Sequence, residues 1–278
     1  MRRLIHFANN TVSLEADEPW GETLISWVFS HFPASHDSSP HTTLRLACDG
    51  SDRMVLFENG VILHAAGSQA ALAEVLLGRL GYLLAERSHG GTLYHAAAVS
   101  QDGTAVVLPA LSGSGKTTLT AWLLAHGWSY LTDELVFIPE GQDELIAYPR
   151  PLNVKRDALP VVESLRMEPS NLGGWTGPSS TLFPPELFGV ACDRMSLPVS
   201  LLIFPAYRTG ADYSLTALTP AHTAQALMAT LLNTPNLPTF GLPEAARLAR
   251  HIPGFRMEYG GFDQLLSNRF LEHLQRSG

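Results

Sequence analysis

The apolar positions of the first ninety residues predict a small α+β unit. Short apolar runs predict three strands, at residues 44–48, 53–57 and 60–64. Over residues 68–87 apolar side chains recur every three or four positions, which predicts an amphipathic helix with Ser68 as its N-cap. The helical pattern stops at Ser88-His89-Gly90-Gly91, and we therefore place the end of an N-terminal accessory domain, residues 1–90, at this point.

The segment after this boundary predicts a β-hairpin, a loop and a helix. Apolar runs at 93–99 and 104–108 flank Gln101-Asp102-Gly103, a turn sequence that favours a tight hairpin because glycine accepts a positive φ. The second strand leads into the Gly- and Ser-rich segment 110–117, and a helix is predicted at 118–126. These elements begin a second predicted domain, residues 91–278.

The remaining pattern predicts strands and helices separated by longer loops. Residues 128–138 are strand-like, and 148–155 are predicted as a loop or an edge segment because two prolines exclude a central strand. Residues 168–186, rich in Gly, Pro and Ser, predict a long irregular stretch. A buried strand is predicted at 197–204, and helices are predicted at 219–232, 243–251 and 262–274.

The composition excludes several classes of protein. The chain has 278 residues, of which 45% are hydrophobic and 16% charged, which is enough for a substantial core and argues against disorder. A formal net charge of −8 gives no electrostatic reason to bind nucleic acid or an anionic membrane, and no apolar run approaches a membrane span. Cys48 and Cys192 form no CxxC motif or Cys/His cluster, so neither a disulfide framework nor a zinc site is expected. Because the N-terminus has no apolar signal region, we expect a cytoplasmic protein.

One segment carries a specific chemical signal. Ala110-x4-Gly115-Lys116-Thr117 fits the P-loop (Walker A) pattern in the variant that begins with Ala. In such a loop, backbone N–H groups surround a β-phosphate, the lysine reaches the β- and γ-phosphates, and the Thr117 hydroxyl ligates Mg²⁺. The predicted nucleotide-binding residues are Ser112, Gly113, Ser114, Gly115, Lys116, Thr117 and Thr118. The alternative, a Gly-Ser loop that only turns a strand into a helix, is disfavoured by the position between an apolar strand and an amphipathic helix.

The basic residues are almost all arginines, which gives weight to the two lysines. The chain has sixteen Arg and only two Lys, Lys116 and Lys155. A compact ammonium suits a phosphate cradle better than a planar guanidinium does. Lys155 and Arg150 fall in the loop after the acidic strand, where they are either ordinary surface cations or charges that stabilise a transferring phosphoryl group. Arg208, at the end of an apolar strand, is a third candidate.

Asp133 and Glu134 form an acidic pair on the next predicted strand. Asp133 lies sixteen residues after Thr117, and its strand is expected to end at the edge of a parallel α/β sheet that also carries the loop. Two roles are open for the pair, holding Mg²⁺ or accepting the proton of an attacking hydroxyl; the alternative is that it only caps a turn. So short a spacing between the loop and the acidic residue is typical of small kinases. It favours phosphoryl transfer to a hydroxyl over the mechanical work of transport and unfolding ATPases.

Together, these motifs resemble the HPr kinase/phosphorylase superfamily, in particular its HPr kinase-related branch, which includes peptide-tailoring serine kinases. The resemblance rests on His95-Ala-Ala-Ala-Val99, residues 111–118 and Leu131-Thr-Asp-Glu134, and it continues through 149–155 and 203–208. It implies an α/β P-loop kinase core of the HPr kinase/phosphoenolpyruvate carboxykinase type, here with a small α+β N-terminal domain. It also implies Mg-nucleotide binding, phosphoryl transfer to serine, Asp133 as the base and His95 in the site.

The sequence departs from that family at three points. The first loop position is Ala110, and Thr118 stands where HPr kinases carry an acidic residue. The C-terminal signature with which those enzymes dock HPr and run phosphorolysis has no convincing counterpart in the sequence. The resemblance therefore gives no support for HPr as the substrate or for the reverse phosphorylase reaction, and both stay open.

The sequence leads to the hypothesis of an ATP- and Mg²⁺-dependent kinase that phosphorylates a serine-type hydroxyl of a peptide, protein or small molecule. The catalytic candidates are Asp133, His95, Lys116, Lys155 and Arg150, and the metal candidates are Thr117, Asp133 and Glu134. Two alternatives stay open: a small-metabolite kinase, against which the hairpin ahead of the loop argues, and a nucleotide-binding regulatory module without transferase activity. The acceptor is not identified, and a homo-oligomer is left open, with hexamers among the relatives.

Overall fold

The computed structural model describes residues 1–33, 39–166, 173–191 and 196–277. Within these residues the chain has a mixed α/β fold in which seventeen strands form three sheets. The strands are β1 (Arg2–Phe7), β2 (Asn10–Ala16), β3 (Thr42–Cys48), β4 (Met54–Glu58), β5 (Val61–Ala66), β6 (Gly91–Gln101), β7 (Thr104–Pro109), β8 (Ser129–Thr132), β9 (Leu135–Pro139), β10 (Glu144–Ala147), β11 (Leu152–Lys155), β12 (Trp175–Thr176), β13 (Ser180–Phe183), β14 (Val190–Ala191), β15 (Ser196–Tyr207), β16 (Ser214–Ala217) and β17 (Gly254–Tyr259). The α-helices are α1 (Pro19–Val28), α2 (Gln69–Glu86), α3 (Lys116–Ala125), α4 (Leu159–Ser164), α5 (Pro220–Met228), α6 (Leu242–His251), α7 (Phe262–Ser267) and α8 (Phe270–Ser277).

The first sheet has the strand order β1-β2-β3-β4-β5, and α1 and α2 pack against it. β2 and β3 are parallel and are joined through α1, whereas the other neighbouring strands are antiparallel. The three predicted strands correspond to β3, β4 and β5, and the predicted helix corresponds to α2. Ser68 caps this helix, since its Oγ accepts a hydrogen bond from the Ala71 N–H at 3.2 Å. These sequence predictions are confirmed.

The sequence pattern does not predict β1, β2 or α1. β2 is buried along almost its whole length, so it lacks the alternation of apolar and polar residues that marks a half-buried strand. α1 has only ten residues and buries a short stripe that includes Leu24, Ile25 and Val28. So short a stripe gives a weak helical signal.

The second sheet is built around the hairpin of β6 and β7. Asp102 and Gly103 in its turn have positive φ angles of 51° and 85°, as a type I′ turn requires. β7 pairs in parallel with β15, and β15 pairs in parallel with β17. The expectation of a parallel sheet is wrong in one respect, because β6 runs antiparallel between β7 and β8. The tight turn between β6 and β7 reverses the direction of the chain, so β6 lies antiparallel beside β7.

β8 and β9 follow each other along the same side of β6. Both are antiparallel to β6, and β8 pairs with its second half while β9 pairs with its first half. Asp133 and Glu134 separate the two strands, and the register with β6 shifts close to this break. The single strand-like run predicted at 128–138 is thus two strands, and the acidic pair occupies the gap between them.

A small third sheet has the strand order β11-β13-β12. β11 is an edge strand of this sheet, which agrees with the loop or edge segment predicted at 148–155. The irregular stretch predicted at 168–186 is wrong for much of its described part, where β12, β13 and a short 3₁₀ turn occur. Its residues 168–172 lie outside the described residues, as does Cys192, whereas Cys48 is a free cysteine.

The C-terminal elements match the remaining predictions except at one point. β15, α5 and α6 correspond to the predicted strand and the first two predicted helices, while β10, β16 and β17 were not indicated by the pattern. The single helix predicted at 262–274 is broken, because Arg269 adopts a φ of 54° between α7 and α8. No helix in the described part of the chain is long and apolar enough to cross a membrane.

Aromatic side chains join the first sheet to the second. Phe7 packs against Phe137 and Tyr148, with ring centroids 6.2 and 5.1 Å apart. One continuous apolar core therefore crosses residue 90, and the domain boundary there stays a prediction. Trp122 and Trp128 are buried in a second core around α3.

An ion pair links the N-terminal residues to the segment after β13. His31 Nε2 lies 2.6 Å from Glu186 Oε1, and each side chain is about one-third exposed. The hydrogen bond with Glu186 raises the pKa of His31 above its ordinary value. The protonated imidazole is therefore the form that the fold favours.

We expect this pair to make stability depend on pH. A histidine with a raised folded-state pKa contributes fully below its unfolded pKa of about 6.5, and the contribution is lost as pH rises through the folded value. His31→Gln should therefore reduce the fall of the urea unfolding midpoint between about pH 6 and pH 8. His64→Gln, a change at an exposed histidine of β5, is the control. An unchanged pH dependence in His31→Gln would speak against a stabilising pair.

Candidate functional site

The loop between β7 and α3, residues 110–115, has the backbone of an anion cradle. Gly113 and Gly115 adopt positive φ angles of 90° and 87°, a conformation that glycine accepts without steric cost. Gly115 is also the N-cap of α3, and no side chain of the described residues caps that helix end. The N–H groups at the start of α3 are therefore left for an anion at the positive end of the helix.

Two tyrosines from distant strands hold this loop. The Tyr207 N–H donates to Ser114 O at 3.0 Å, and the Tyr259 hydroxyl donates to Gly115 O at 3.4 Å. They end β15 and β17, which are neighbours in the sheet. A Cβ atom at Gly115 would lie 2.7 Å from Tyr207 Cβ and 2.9 Å from the Tyr259 hydroxyl, so this position requires glycine. Sequence reasoning missed both tyrosines, because only the pairing of β15 with β17 brings them to the loop.

Both lysines of the chain lie at this loop. Lys116 is 7% exposed, and its Nζ lies 3.3 Å from His95 Nε2. Because an ammonium group can only donate, the Nε2 lone pair accepts this hydrogen bond. Lys155 is exposed at the end of β11, and its Nζ donates to Ser112 Oγ at 2.8 Å. The structure thus places both lysines of the chain at this loop.

Asp133 contacts the first turn of α3. Its Oδ2 accepts a hydrogen bond from Thr117 Oγ1 at 3.0 Å, so the end of β8 and the loop share one sheet edge, as expected. The side chain is 1% exposed, and Oδ1 has no hydrogen-bond partner among the described residues. Burial raises the pKa of Asp133, and the charges of Lys116 and Arg150 act against this shift. One carboxylate oxygen is thus anchored and the other is unsatisfied.

Glu134 is paired with a buried arginine. Arg150 is 5% exposed and donates through Nη2 to Glu134 Oε2, while Glu134 Oε1 lies 3.6 Å from His95 Nε2. Burial acts to raise the pKa of Glu134, but Arg150 and the other nearby cations outweigh it, and the pKa is lowered. Burial, followed by the charge of Lys116, lowers the pKa of His95 to about 4. At neutral pH the site therefore holds an anionic Glu134 beside a neutral imidazole.

The structure brings most of the predicted site residues together. The residues that contact one another or the loop are His95, Ser112, Lys116, Thr117, Asp133, Glu134, Arg150 and Lys155. Thr118 lies half-buried in the first turn of α3. The reading of Arg150 as an ordinary surface cation is wrong, since it is buried against Glu134. Arg208 stands apart from this cluster, because it is 73% exposed and pairs with Glu258 at 3.2 Å.

The residues at this edge fit a Mg²⁺ ion that is shared with phosphate oxygens. In the described ranges, no group of three or more His, Cys, Asp or Glu side chains could hold a metal by itself. Mg²⁺ usually takes one or two carboxylates together with phosphate oxygens and water. Thr117, Asp133 and Glu134 offer a hydroxyl and two carboxylates, and the Asp133 Oδ1 is unsatisfied. The predicted metal set therefore suits the chemistry of this ion.

Comparison with known proteins gives structural likenesses only, and the one described here is distant. No protein-family model matches the chain, and no curated protein matches it. Among solved structures, the chain is similar to the HPr(Ser) kinase/phosphatase from Coxiella burnetii, with 13% sequence identity and a TM-score of 0.33. The alignment covers 67% of this chain and 99% of that chain. A TM-score this low carries no conclusion about fold or function.

We expect Gly115→Ala to be more harmful than Gly113→Ala. Both substitutions force alanine into a positive φ, which costs about 1–2 kcal/mol. The new methyl group at 115 also collides with the two tyrosines, whereas a Cβ at 113 meets no atom within 4 Å. Urea unfolding of the two variants should show the larger loss of stability for Gly115→Ala. Equal losses of stability in the two variants would mean that Tyr207 and Tyr259 shift away from the new methyl group without a free-energy cost.

Proposed function

We propose that the chain is a kinase of the HPr kinase/phosphorylase type, which uses ATP and Mg²⁺ to phosphorylate a serine-type hydroxyl of a peptide, protein or small molecule. The observation that carries the proposal is the hydrogen bond of 3.0 Å between Thr117 Oγ1 and Asp133 Oδ2. It joins the lysine-bearing loop to the acidic strand end. N–H groups, an ammonium, a hydroxyl and a carboxylate at one sheet edge are the groups that phosphoryl transfer from a nucleotide requires.

Nucleotide binding in this proposal depends on local groups, because the chain as a whole is acidic. A formal net charge of −8 repels a nucleotide at long range. The N–H groups of residues 112–115 and the ammonium of Lys116 would bind the β- and γ-phosphates. Lys155 would add a second positive charge on the side of the loop where it now contacts Ser112.

Thr117, Asp133 and Glu134 are the residues proposed to hold Mg²⁺. When bound, the ion neutralises negative charge on the phosphate oxygens. The guanidinium of Arg150 orients Glu134, because it donates to one of the two carboxylate oxygens and is itself buried. The Asp133 carboxylate is oriented in the same way by the Thr117 hydroxyl.

The other role proposed for Asp133 is that of proton acceptor for the attacking hydroxyl, in which case Thr117 and Glu134 hold the ion. Its Oδ2 is fixed by Thr117, and its Oδ1 has no partner among the described residues and can therefore take a proton. Arg150 and Lys155 would supply positive charge near the transferred phosphoryl group. The neutral His95 accepts a hydrogen bond from Lys116 and so fixes the direction of the ammonium.

Asp133→Asn is expected to abolish phosphoryl transfer, with a loss of about 10²- to 10⁴-fold, because an amide cannot accept the proton. Lys116→Ala should also abolish transfer, because it removes the charge at the phosphates. The assay follows label from γ-labelled ATP into acceptors of a cell lysate, with ATP binding measured in parallel by calorimetry. Asp102→Asn makes the same chemical change in the exposed hairpin turn and is the control.

Two results would contradict this reading. If Asp133→Asn transferred label at the wild-type rate, Asp133 would not be the base. If the wild-type protein bound ATP tightly and labelled no acceptor, a nucleotide-binding regulatory module would replace the kinase.

Lys155→Ala should weaken ATP binding by roughly tenfold, about 1.4 kcal/mol, because one charge-assisted contact to the phosphates is lost. Calorimetric titration with ATP measures this change. Arg156→Ala removes the adjacent exposed cation and is the matched control. Equal weakening in both variants would show that only general surface charge is involved.

A further inference from the structure

The carboxylate of Glu74, on α2, holds the turn between β12 and β13. Its Oε1 accepts hydrogen bonds from the Ser180 N–H at 2.8 Å, the Ser180 hydroxyl at 2.7 Å and the Ser179 N–H at 3.3 Å. Its Oε2 accepts one from the Ser179 hydroxyl at 2.6 Å. Burial acts to raise the pKa of Glu74, but these hydrogen bonds outweigh it and lower the pKa. We call this contact of Glu74 with Ser179 and Ser180 the clasp.

The close approach of Glu74 determines which residue can stand at position 177. A Cβ atom there would lie 2.3 Å from Glu74 Oε1 and 2.7 Å from its Cδ, and would displace the carboxylate from the clasp. Gly177 does not adopt a positive φ, so the turn conformation alone does not require glycine. The Gly177 N–H donates to Ser180 O at 2.8 Å and closes the turn. Glycine at this position is therefore explained by the clasp.

The third sheet, which carries the clasp, lies between the two apolar cores. Leu152 of β11 and Phe183 of β13 pack in the core around α3, whereas Leu182 of β13 and Trp175 of β12 pack in the core of the first sheet. Trp175 also stacks on Trp27 of α1, with ring centroids 5.1 Å apart. Apolar packing is not directional, so it does not by itself fix the sheet along either core. The hydrogen bonds of the clasp depend on distance and angle and do fix it.

The clasp lies opposite the lysine of β11. In the antiparallel pairing of β11 with β13, Ser180 is the direct partner of Lys155. Residues in this relation have Cβ atoms about 4.5–5.5 Å apart. The Lys155 Nζ in turn donates to Ser112 Oγ at 2.8 Å. A series of direct contacts therefore joins Glu74, through two paired strands, to the loop at residues 110–115.

A cavity separates another part of α2 from the site. Its volume is about 640 Å³, and it is lined by Gly78 and Gly81 of the helix and by Glu134 and Arg150 of the site. Two walls that do not touch cannot position each other by packing. Glu74 is also one of the lining residues, so the clasp connects α2 with the third sheet beside this space.

We propose that Glu74 is a positioning residue for the nucleotide site, and that the first sheet and its helices act through the third sheet to hold the Lys155 ammonium at the loop. This inference rests on the kinase function proposed above, in which Lys155 binds phosphate. A lysine side chain has many rotamers, and a fixed strand limits the positions that its ammonium reaches. Loss of the clasp therefore lowers the affinity for ATP without removing any group that touches the nucleotide.

A double-mutant cycle with Lys155 tests the proposal. The affinity for ATP is measured by calorimetry for the wild type, Glu74→Gln, Lys155→Ala and the double variant, because residues that act through one another do not have independent effects. Glu74→Gln replaces one accepting oxygen of the clasp with an amide nitrogen that cannot accept. Glu86→Gln makes the same change at an exposed carboxylate of the same helix and is the control.

Glu74→Gln should weaken ATP binding roughly three- to tenfold in the wild-type background and less than about twofold in the Lys155→Ala background. A role in stability alone would weaken binding by the same factor in both backgrounds, and that result would overturn the proposal. Binding of ATP by Glu74→Gln with the wild-type affinity would also overturn it.

Gly177→Ala displaces the carboxylate while every polar group of the clasp is kept, so it should weaken ATP binding as Glu74→Gln does. Gly173→Ala, at a nearby glycine with open space around it, is the control. Hydrogen exchange without nucleotide is measured in parallel. In Glu74→Gln and Gly177→Ala, α3 should keep its wild-type protection, which shows a folded protein, and β11 should lose protection. Unchanged protection of β11 in both variants would contradict the proposal.

The same measurements separate this proposal from the proposed function. If the wild type and Glu74→Gln bind ATP equally well, the positioning role is rejected and the proposed function stands. If the wild type does not bind ATP, both are rejected.

Discussion

The burial of the Asp133 carboxylate, beside a half-buried Glu134, in the gap between β8 and β9 is the constraint on which the site depends. An ionised carboxylate removed from water is costly unless cations and hydrogen bonds replace the water. Asp133 is held by Thr117 and faces the charge of Lys116, and Glu134 is paired with Arg150. Lys116 and Arg150 are themselves buried, so each charge needs the others. These interactions between opposite charges hold the loop, the acidic pair and the segment before β11 in one arrangement.

The antiparallel strand β6 makes this burial possible. It has β7 on one side and the broken pair β8 and β9 on the other, so the break lies inside the sheet and not at its edge. The Ala96 N–H donates to Glu134 O at 3.1 Å, and the Ala110 N–H donates to His95 O at 3.3 Å. Two consecutive residues of β6 thus fix both the acidic pair and the start of the loop. The hairpin of β6 and β7 is therefore part of the site and does more than precede the loop in the sequence.

The candidate site residues could be predicted from the sequence because they lie in short local motifs. The loop pattern, the two lysines and the acidic pair are each recognisable within a few residues, and the structure places them together. The contacts that hold them could not be predicted in this way. Tyr207 and Tyr259 contact the loop only because their strands pair in the sheet. No local sequence pattern indicates that Arg150 is buried. The same holds for α2, whose pattern predicts a helix but not the cavity beside it.

The two tyrosines also bear on the order in which the chain folds. The bond from the Tyr259 hydroxyl to the Gly115 carbonyl joins residues 144 positions apart. Contacts of such long range form slowly, because a large loop of chain must be closed before they stabilise anything. During synthesis the loop at residues 110–115 therefore stays without its supports until β15 and β17 have left the ribosome and joined the sheet. A chain truncated before β17 would therefore lack the support from Tyr259, even though every residue of the loop motif is present.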